Sequence, residues 1–213
     1  MIINFSNQRS IVNQYIAELR DVQIQKDRMR FRRNLERIGE IMAYEISKDL
    51  TYVTKDVETP LGFSPSHIIE NQPVISTILR AGLPMHQGFL NIFDQADNAF
   101  ISAYRKHHKD GSFEIQLDYI ACPSLENRPL ILCDPMLATG ASMVAAIRAL
   151  ANYGQSSSIH LAVAIASTDG VAYVKRYFPN AKLWIGAIDD ELTAKSYIVP
   201  GLGDAGDLAF GEK

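Results

Sequence analysis

The sequence lacks the features that mark several large classes of protein. It has two cysteines among 213 residues, too few for a disulfide framework, and no run of eighteen apolar residues that would predict a transmembrane helix. Its formal net charge of −3 offers no general attraction to nucleic acid, because phosphate binding requires an excess of lysine and arginine. The segment Met1–Ser10 has neither the basic start nor the long apolar stretch of a secretory signal. We therefore expect a cytoplasmic protein without a membrane or nucleic-acid partner.

The chain does have enough apolar material for one sizeable core, since 47% of its residues are hydrophobic. Its glycines are spread unevenly: four of the 13 lie in the last 13 residues, at positions 201, 203, 206 and 211. A disordered tail and a folded glycine-rich loop both explain such a cluster, and the two imply different proteins.

The first fifty residues are predicted to be helical. Ser10 is placed to cap a first helix, and a second helix is indicated by apolar residues at intervals of three, four and seven. Between Arg20 and Arg37 the chain carries seven basic and three acidic residues. We interpret this stretch as a solvated helix face, with a basic edge for a partner subunit or an anionic ligand as the alternative.

From residue 74 to residue 188, short apolar runs alternate with helical patterns. The predicted strands are Val74–Leu79, Ala99–Tyr104, Phe113–Ile120, Leu130–Cys133, Ile159–Ala166 and Leu183–Ile188. The predicted helices are Leu83–Phe93, Ser142–Tyr153 and Val171–Phe178, and Arg105–Gly111 is predicted to be a polar loop. This alternation is typical of βαβ units, and hence of an α/β fold with a central parallel sheet flanked by helices. Ligands of such sheets bind at the carboxyl ends of the strands, so the loops there are the first candidates for a site.

The segment Leu130–Ser142 is the most informative of these loops. A buried strand runs into Asp134, and a loop of small and hydroxyl residues then opens a helix. Small residues let backbone N–H groups approach a phosphate, and the helix N-terminus adds a positive dipole end. The loop is neither a Walker loop nor a dinucleotide fingerprint, because it lacks the Gly-Lys-Ser/Thr ending and the Gly-x-Gly-x-x-Gly pattern. An ordinary strand–loop–helix with Ser142 as the N-cap is the alternative interpretation.

Three segments resemble motifs of the uracil phosphoribosyltransferases, a family of the type I phosphoribosyltransferases. Asp134–Ser142 resembles their loop for phosphoribosyl pyrophosphate (PRPP), with a single acidic residue and with Ala141 where many members have glycine. Ile78–Gly82 resembles their pyrophosphate loop. Tyr197–Asp207, with three glycines and two aspartates, resembles their C-terminal uracil-binding segment almost residue for residue. By this resemblance the late glycines belong to a folded base-binding hood rather than to a tail.

The resemblance implies a role for particular residues. The implied PRPP contacts are Arg80, Arg105, Asp134, Pro135, Met136, Leu137, Ala138, Thr139, Gly140, Ala141, Ser142 and Asp204. The implied uracil contacts are Ile198, Gly203, Asp204 and Ala205. Arg80, Arg105 and Asp204 form the implied catalytic group. Mg²⁺ is implied to be carried by PRPP, with Asp204 as a candidate contact through a water molecule. We interpret the pair His107 and His108 as solvated loop residues, because they lack the spacing of metal ligands.

The function implied by the resemblance is that of a Mg²⁺-dependent uracil phosphoribosyltransferase of pyrimidine salvage, which converts uracil and PRPP to UMP and diphosphate. The implied organisation is one domain over residues 1–213, with a helical extension (1–50), an α/β core (51–188) and a uracil-binding segment (189–213). A homodimer or larger homo-oligomer and GTP as an effector are further expectations from the family. The alternative from another class is a nucleotide-sensing regulator of the same fold that binds RNA, for which the basic stretch between Arg20 and Arg37 is the one supporting feature.

Overall fold

The computed structural model describes the backbone of residues 1–107 and 113–212, and the side chains of residues 1–103 and 116–212. In this part of the chain the α-helices are α1 (Ile11–Arg20), α2 (Arg28–Ser47), α3 (Leu83–Ile92), α4 (Ala141–Leu150), α5 (Thr168–Tyr177) and α6 (Ala205–Phe210). The first six strands are β1 (Ile2–Asn4), β2 (Tyr52–Thr59), β3 (Gly62–Ile69), β4 (Val74–Leu79), β5 (Asp97–His107) and β6 (Phe113–Ala121). The remaining strands are β7 (Pro129–Cys133), β8 (Met136–Leu137), β9 (Ser158–Ser167), β10 (Lys182–Asp189), β11 (Glu191–Leu192) and β12 (Ile198–Val199).

The central sheet has the strand order β1-β10-β9-β7-β4-β5-β6, and β8 pairs with β9 beside this path. Each neighbouring pair runs parallel except β5 and β6, which are antiparallel. Strands β4 and β7 are neighbours in register, with Thr77 opposite Cys133. Their carboxyl ends therefore reach the same edge of the sheet side by side. The α/β class with a parallel sheet, predicted from the sequence, is confirmed.

Helices cover both faces of the sheet because consecutive strand residues point to opposite sides. In β4, Val74 and Ile75 are both fully buried, and they belong to two different apolar clusters. The cluster on one face includes residues of α1, α2, α3 and α6, and the cluster on the other includes residues of α4 and α5. The N-terminal helices are thus packed on the same face as the C-terminal helix.

Helices α2 and α3 pack closely through glycines. A Cβ atom at Gly88 would lie 2.0 Å from the carbonyl oxygen of Glu36, and one at Gly39 would lie 2.4 Å from that of Met85. Side chains at these positions would push the helices apart, at a cost of about 1–3 kcal/mol each. This contact holds α3, and with it the loop that follows β4, against the N-terminal helices.

The basic stretch between Arg20 and Arg37 is largely engaged within the chain itself. Three of its arginines pair with carboxylates and a fourth donates to a main-chain carbonyl, so the solvated-face interpretation describes this stretch only in part. These contacts are Arg20 with Asp189, Arg30 with Glu18, Arg33 with Glu36, and Arg32 with the carbonyl of Ala209. They leave less free positive charge for an RNA partner than the sequence indicated.

The structure differs from the predicted elements in several places. The prediction of a loop over Arg105–Gly111 is wrong for residues 105–107, because β5 continues to His107 in an antiparallel ladder with β6. That ladder satisfies the backbone hydrogen bonds and outweighs the polar composition of the segment. Strand β1 and helix α6 have no counterpart among the predicted elements, since both are too short to show a periodic pattern. In the described residues no helix is long and apolar enough to cross a membrane.

Candidate active site

Three loops meet around one cavity of about 620 Å³ at the carboxyl edge of β4 and β7. The first loop joins β4 to α3, the second joins β7 to α4, and the third is the C-terminal segment around β12 and α6. Residues predicted from the sequence that line the cavity are Arg80, Asp134, Met136, Leu137, Ala138, Thr139, Gly140, Ser142, Ile198, Gly203, Asp204 and Ala205. Segments far apart in the chain are thus brought to one place by the sheet topology.

The loop after β4 presents Arg80 to the cavity. Gly82 is required there, because a Cβ atom at this position would lie 2.1 Å from Oγ1 of Thr77 and 3.1 Å from the carbonyl oxygen of Cys133. The Arg80 guanidinium donates to the carbonyl of Gly211 at 3.3 Å and lies 3.7 Å from Oδ1 of Asp207. The side chain is 40% exposed, so these partners leave it accessible to an anion from solvent.

The loop after β7 is held open at the N-terminus of α4. Gly140 occupies the N-cap with φ +80°, a left-handed conformation that favours glycine. Oγ1 of Thr139 accepts from the N–H of Ala141 at 3.4 Å. Ser142 therefore lies in the first turn of α4 rather than at its N-cap, and Ser142 lines the cavity. Because the first N–H groups of a helix lack partners within the helix, this loop offers an anion both a dipole end and donors.

The same loop is anchored from behind by α5. Oγ of Ser167 donates to the carbonyl of Ala138 at 2.5 Å and accepts from the N–H of Gly170 at 2.9 Å. A Cβ atom on Gly170 would lie 2.3 Å from the same Ala138 carbonyl oxygen, so only glycine permits this approach. Pro135, which does not line the cavity, accepts at its carbonyl from the N–H of Ile165 at 2.9 Å. The loop is therefore fixed before any ligand arrives.

Asp134 lies at the start of this loop, between the buried end of β7 and the cavity. Burial raises the pKa of its carboxyl group to about 7, and the weak hydrogen bond from the N–H of Met136 at 3.4 Å offsets this only in part. A hydroxyl donor or a cation placed in the cavity would stabilise the ionised form of this carboxyl group. Burial also raises the pKa of the neighbouring Cys133 thiol to about 12, so this thiol stays protonated and is not suited to act as a nucleophile.

The third loop is the glycine-rich wall, which we define as residues 198–206. It starts with β12, which pairs antiparallel with β11, and α6 begins within it at Ala205. Asp204 is the N-cap of α6, and its Oδ1 accepts from the N–H of Asp207 at 3.0 Å. Gly201 and Gly203 have φ values of +55° and +96°, so glycine is needed at both for conformation. The late glycines belong to a folded structure.

The cavity also has lining residues that are not among the predicted contacts. Lys195, Ser196 and Tyr197 lie in the turn between β11 and β12 and face the cavity. The antiparallel return of two very short strands places them there, and strands of two residues carry no detectable alternation. Ala141 was predicted as a PRPP contact and does not line the cavity. The predictions for Arg105, His107 and His108 concern side chains outside the described residues.

Comparison with known proteins identifies the fold and the family. A solved structure of a purine phosphoribosyltransferase from Pyrococcus horikoshii is 13% identical, with a TM-score of 0.50 over 75% of this chain and 91% of that one. A solved structure of a protein from Aquifex aeolicus is 27% identical, with a TM-score of 0.88 over 99% of this chain and 98% of that one. The fold is that of the type I phosphoribosyltransferases.

The sequence comparison is more specific. The family model for uracil phosphoribosyltransferase matches residues 6–212. A uracil phosphoribosyltransferase of Porphyromonas gingivalis is 52% identical over 213 residues, which cover 100% of this chain and 99% of the relative. The chain belongs to the uracil phosphoribosyltransferase family. The alternative of an RNA-binding regulator receives no support from these relatives.

The raised pKa of Asp134 predicts a pH-dependent stability. The folded protein binds this proton more tightly than the unfolded chain, so the stabilising contribution is fully present below about pH 4 and is lost as the pH rises to about 7. Asparagine is neutral throughout. We compare the unfolding free energy of Asp134→Asn with that of the wild type. We expect this difference, variant minus wild type, to increase by on the order of 2 kcal/mol from pH 5 to pH 7.5.

Urea denaturation at the two pH values measures this gain. Asp94→Asn, on the exposed turn before β5, is the control and should show no such gain. If the unfolding free energies of wild type and Asp134→Asn differ by the same amount at pH 5 and at pH 7.5, the raised pKa of Asp134 is contradicted.

Proposed function

We propose that the protein is a uracil phosphoribosyltransferase of pyrimidine salvage, which converts uracil and PRPP to UMP and diphosphate. In this reaction the bond between C1 of the ribose and the diphosphate oxygen breaks, and a bond from C1 to N1 of uracil forms as N1 releases its proton. The single observation that supports it most is the cavity that brings Arg80, the loop 134–142 and the glycine-rich wall together. Membership of the family supports the same conclusion.

Arg80 is proposed to bind the pyrophosphate group of PRPP. Its guanidinium is a planar donor that matches phosphate oxygens, and its present partners are a carbonyl and a carboxylate 3.7 Å away. Stabilising the negative charge on the departing diphosphate is the electrostatic contribution that we expect to be largest. Arg105, on β5 and with its side chain outside the described part, is proposed to add a second cation.

The loop 134–142 is proposed to bind the 5′-phosphate and the ribose. Its N–H groups at the start of α4 suit the phosphate, and Thr139 and Ser142 add hydroxyl donors. Asp134 is proposed to accept from the ribose hydroxyls. Because α5 already fixes this loop through Ser167, the loop holds C1 in place and reduces the entropy lost on reaching the transition state.

The glycine-rich wall is proposed to bind uracil through Ile198, Gly203, Asp204 and Ala205. Uracil presents an N–H between two carbonyl oxygens, and exposed backbone N–H and C=O groups complement such an edge. Gly203 leaves the backbone open, since the nearest atom to a Cβ built there is 3.9 Å away on Leu208. Ile198 is buried at 5% exposure and supplies an apolar surface for the flat ring.

Mg²⁺ carried by PRPP is the proposed cofactor, and Asp134 and Asp204 are the residues that would contact it. Among the described residues there is no group of three or more histidine, cysteine or acidic side chains that could hold a metal ion by itself. Two separate carboxylates on one cavity do suit Mg²⁺, which proteins bind with one or two carboxylates, substrate phosphates and water. When bound, Mg²⁺ supplies positive charge that stabilises the departing diphosphate.

We further propose one domain over residues 1–213, divided as predicted into 1–50, 51–188 and 189–213, and a homodimer or larger homo-oligomer. The hairpin of β2 and β3 exposes apolar residues, with Leu61 at 99% and Phe63 at 74%, and a second copy would cover them. The free thiols of Cys122 and Cys133 fit the reducing cytoplasm, which is the proposed location.

GTP is proposed as an effector from the family alone. Light scattering with and without GTP measures the assembly, and a monomer in both would contradict it.

The reaction itself is tested by PRPP-dependent nucleotide formation with four bases: uracil, cytosine, hypoxanthine and orotate. We expect kcat/KM for uracil to exceed that for each of the others by roughly 100-fold or more, because cytosine and hypoxanthine lack the N–H between two carbonyl oxygens and orotate adds a charged carboxylate next to N1. The absence of UMP from uracil in the presence of Mg²⁺ would overturn the proposed function.

Asp204 offers a test that separates a catalytic role from a structural one. Asparagine retains an oxygen that can cap α6 but removes the charge, whereas alanine removes both. We expect Asp204→Asn to keep wild-type stability and to lose roughly 100-fold in kcat/KM. Asp204→Ala should lose about 1 kcal/mol of stability in addition. Thermal unfolding and initial rates measure the two effects, and near-normal turnover by Asp204→Asn would refute the catalytic assignment.

A further inference from the structure

We infer that Arg20 and Asp189 are positioning residues for the base, because together they hold the peptide groups of Gly201 on which the glycine-rich wall depends. This inference rests on the proposed function, and it goes beyond the residues that the family resemblance implies. Neither residue lines the cavity. Arg20 ends α1 and Asp189 ends β10, so the pair joins the N-terminal helices to the sheet directly behind the wall.

The pair is bidentate. Nη1 of Arg20 lies 2.8 Å from Oδ2 of Asp189, and Nη2 lies 2.7 Å from Oδ1. Asp189 is 7% exposed and Arg20 is 22% exposed, so water competes little for these hydrogen bonds. A planar guanidinium that meets a carboxylate in this manner fixes the orientation of both groups.

The same two side chains bind Gly201 on both of its polar groups. Nη1 of Arg20 donates to the carbonyl of Gly201 at 2.9 Å, and the N–H of Gly201 donates to Oδ2 of Asp189 at 2.9 Å. Gly201 adopts φ +55°, and a Cβ atom there would lie 2.1 Å from the carbonyl oxygen of Ile198. Only glycine fits this turn, and glycine is also the residue with the greatest conformational freedom. The turn therefore needs an external clamp, and the Arg20–Asp189 pair provides it.

Gly201 lies between the two parts of the proposed base site. Ile198 precedes it by three residues, and Gly203, Asp204 and Ala205 follow it closely. A shift of the Gly201 peptide therefore moves both parts relative to each other. The pyrophosphate loop and the loop 134–142 follow other strands, and no hydrogen bond of the described Arg20 or Asp189 side chain reaches them. Loosening the clamp should thus weaken uracil binding much more than PRPP binding.

The test compares two arginines in the same region. Arg30 forms an equally bidentate pair with Glu18, at 2.9 Å for both contacts, and Glu18 is 8% exposed. The hydrogen bonds from Arg30, Gln14 and Asn34 lower the pKa of Glu18 to about 2, so this pair is also a strong one. Within the described part of the chain, no hydrogen bond of Arg30 or Glu18 reaches the glycine-rich wall. Arg30→Lys is therefore the matched control for Arg20→Lys.

Lysine keeps the charge but cannot donate to Asp189 and Gly201 in the fork geometry. We expect Arg20→Lys to raise KM for uracil roughly tenfold, with KM for PRPP within about twofold of wild type, and Arg30→Lys to change neither. Amide hydrogen exchange of residues 198–206 should accelerate in Arg20→Lys alone. If KM for uracil and this exchange stay at wild-type values, or if Arg30→Lys shows the same changes, the inference is overturned.

A second variant covers the case in which Arg20→Lys fails to fold. Arg20→Gln combined with Asp189→Asn leaves no unpaired buried charge, so a purely structural role predicts a normal KM for uracil. Our inference predicts that KM for uracil stays raised, because the fork that binds the Gly201 carbonyl is absent. If the wild type forms no UMP, the proposed function fails, and the exchange of residues 198–206 still decides whether the clamp exists.

Discussion

The site depends on the pairing of β4 with β7 as parallel neighbours. Thr77 stands opposite Cys133 in the ladder, and Oγ1 of Thr77 also donates to the carbonyl of Cys133 at 3.2 Å. The end of β7, one residue before Asp134, is therefore level with Thr77, and β4 continues for two more residues to Leu79, directly before Arg80. The loop that carries Arg80 and the N-terminus of α4 meet at this edge because the sheet register places the ends of β4 and β7 side by side. The topology of the fold thus creates the site before any side chain is considered.

Several residues of this site contribute unfavourably to the free energy of folding. Asp134 is half-buried without a strong hydrogen-bond partner, and the left-handed residues Gly140, Gly201 and Gly203 each give up conformational freedom. The surrounding contacts offset these costs. Ser167 and Gly170 hold the loop 134–142 from the α5 side, and Arg20 and Asp189 hold Gly201 from the α1 side. The rigid elements behind each loop allow its backbone to remain open toward the cavity.

Much of the fold could be predicted from the sequence because its apolar patterns are long. The strand β4 has the predicted bounds, and β7, β9 and β10 extend the predicted strands by one or two residues. The loops containing Arg80 and Asp134 follow directly from the strands before them. The resemblance to the family added the glycine-rich wall, where periodicity carries no information.

Other features depend on contacts between distant segments, and the local sequence pattern does not predict them. The two-residue strands β11 and β12 place Lys195 at the cavity, and the N-cap at Asp204 starts a helix of only six residues. Arg20 lies in a basic stretch that suggested a solvated surface, yet it reaches Asp189, 169 residues later in the chain. Such pairs are set by tertiary packing, which composition and spacing do not encode locally.

The three loops are proposed to form a single site for PRPP and uracil. A crystal structure of the protein with UMP and diphosphate tests this most directly. We expect the 5′-phosphate at the N–H groups of the loop 134–142, the diphosphate at Arg80, and the uracil ring against Gly203–Ala205. Uracil bound away from the glycine-rich wall, or a phosphate bound elsewhere than the start of α4, would contradict it.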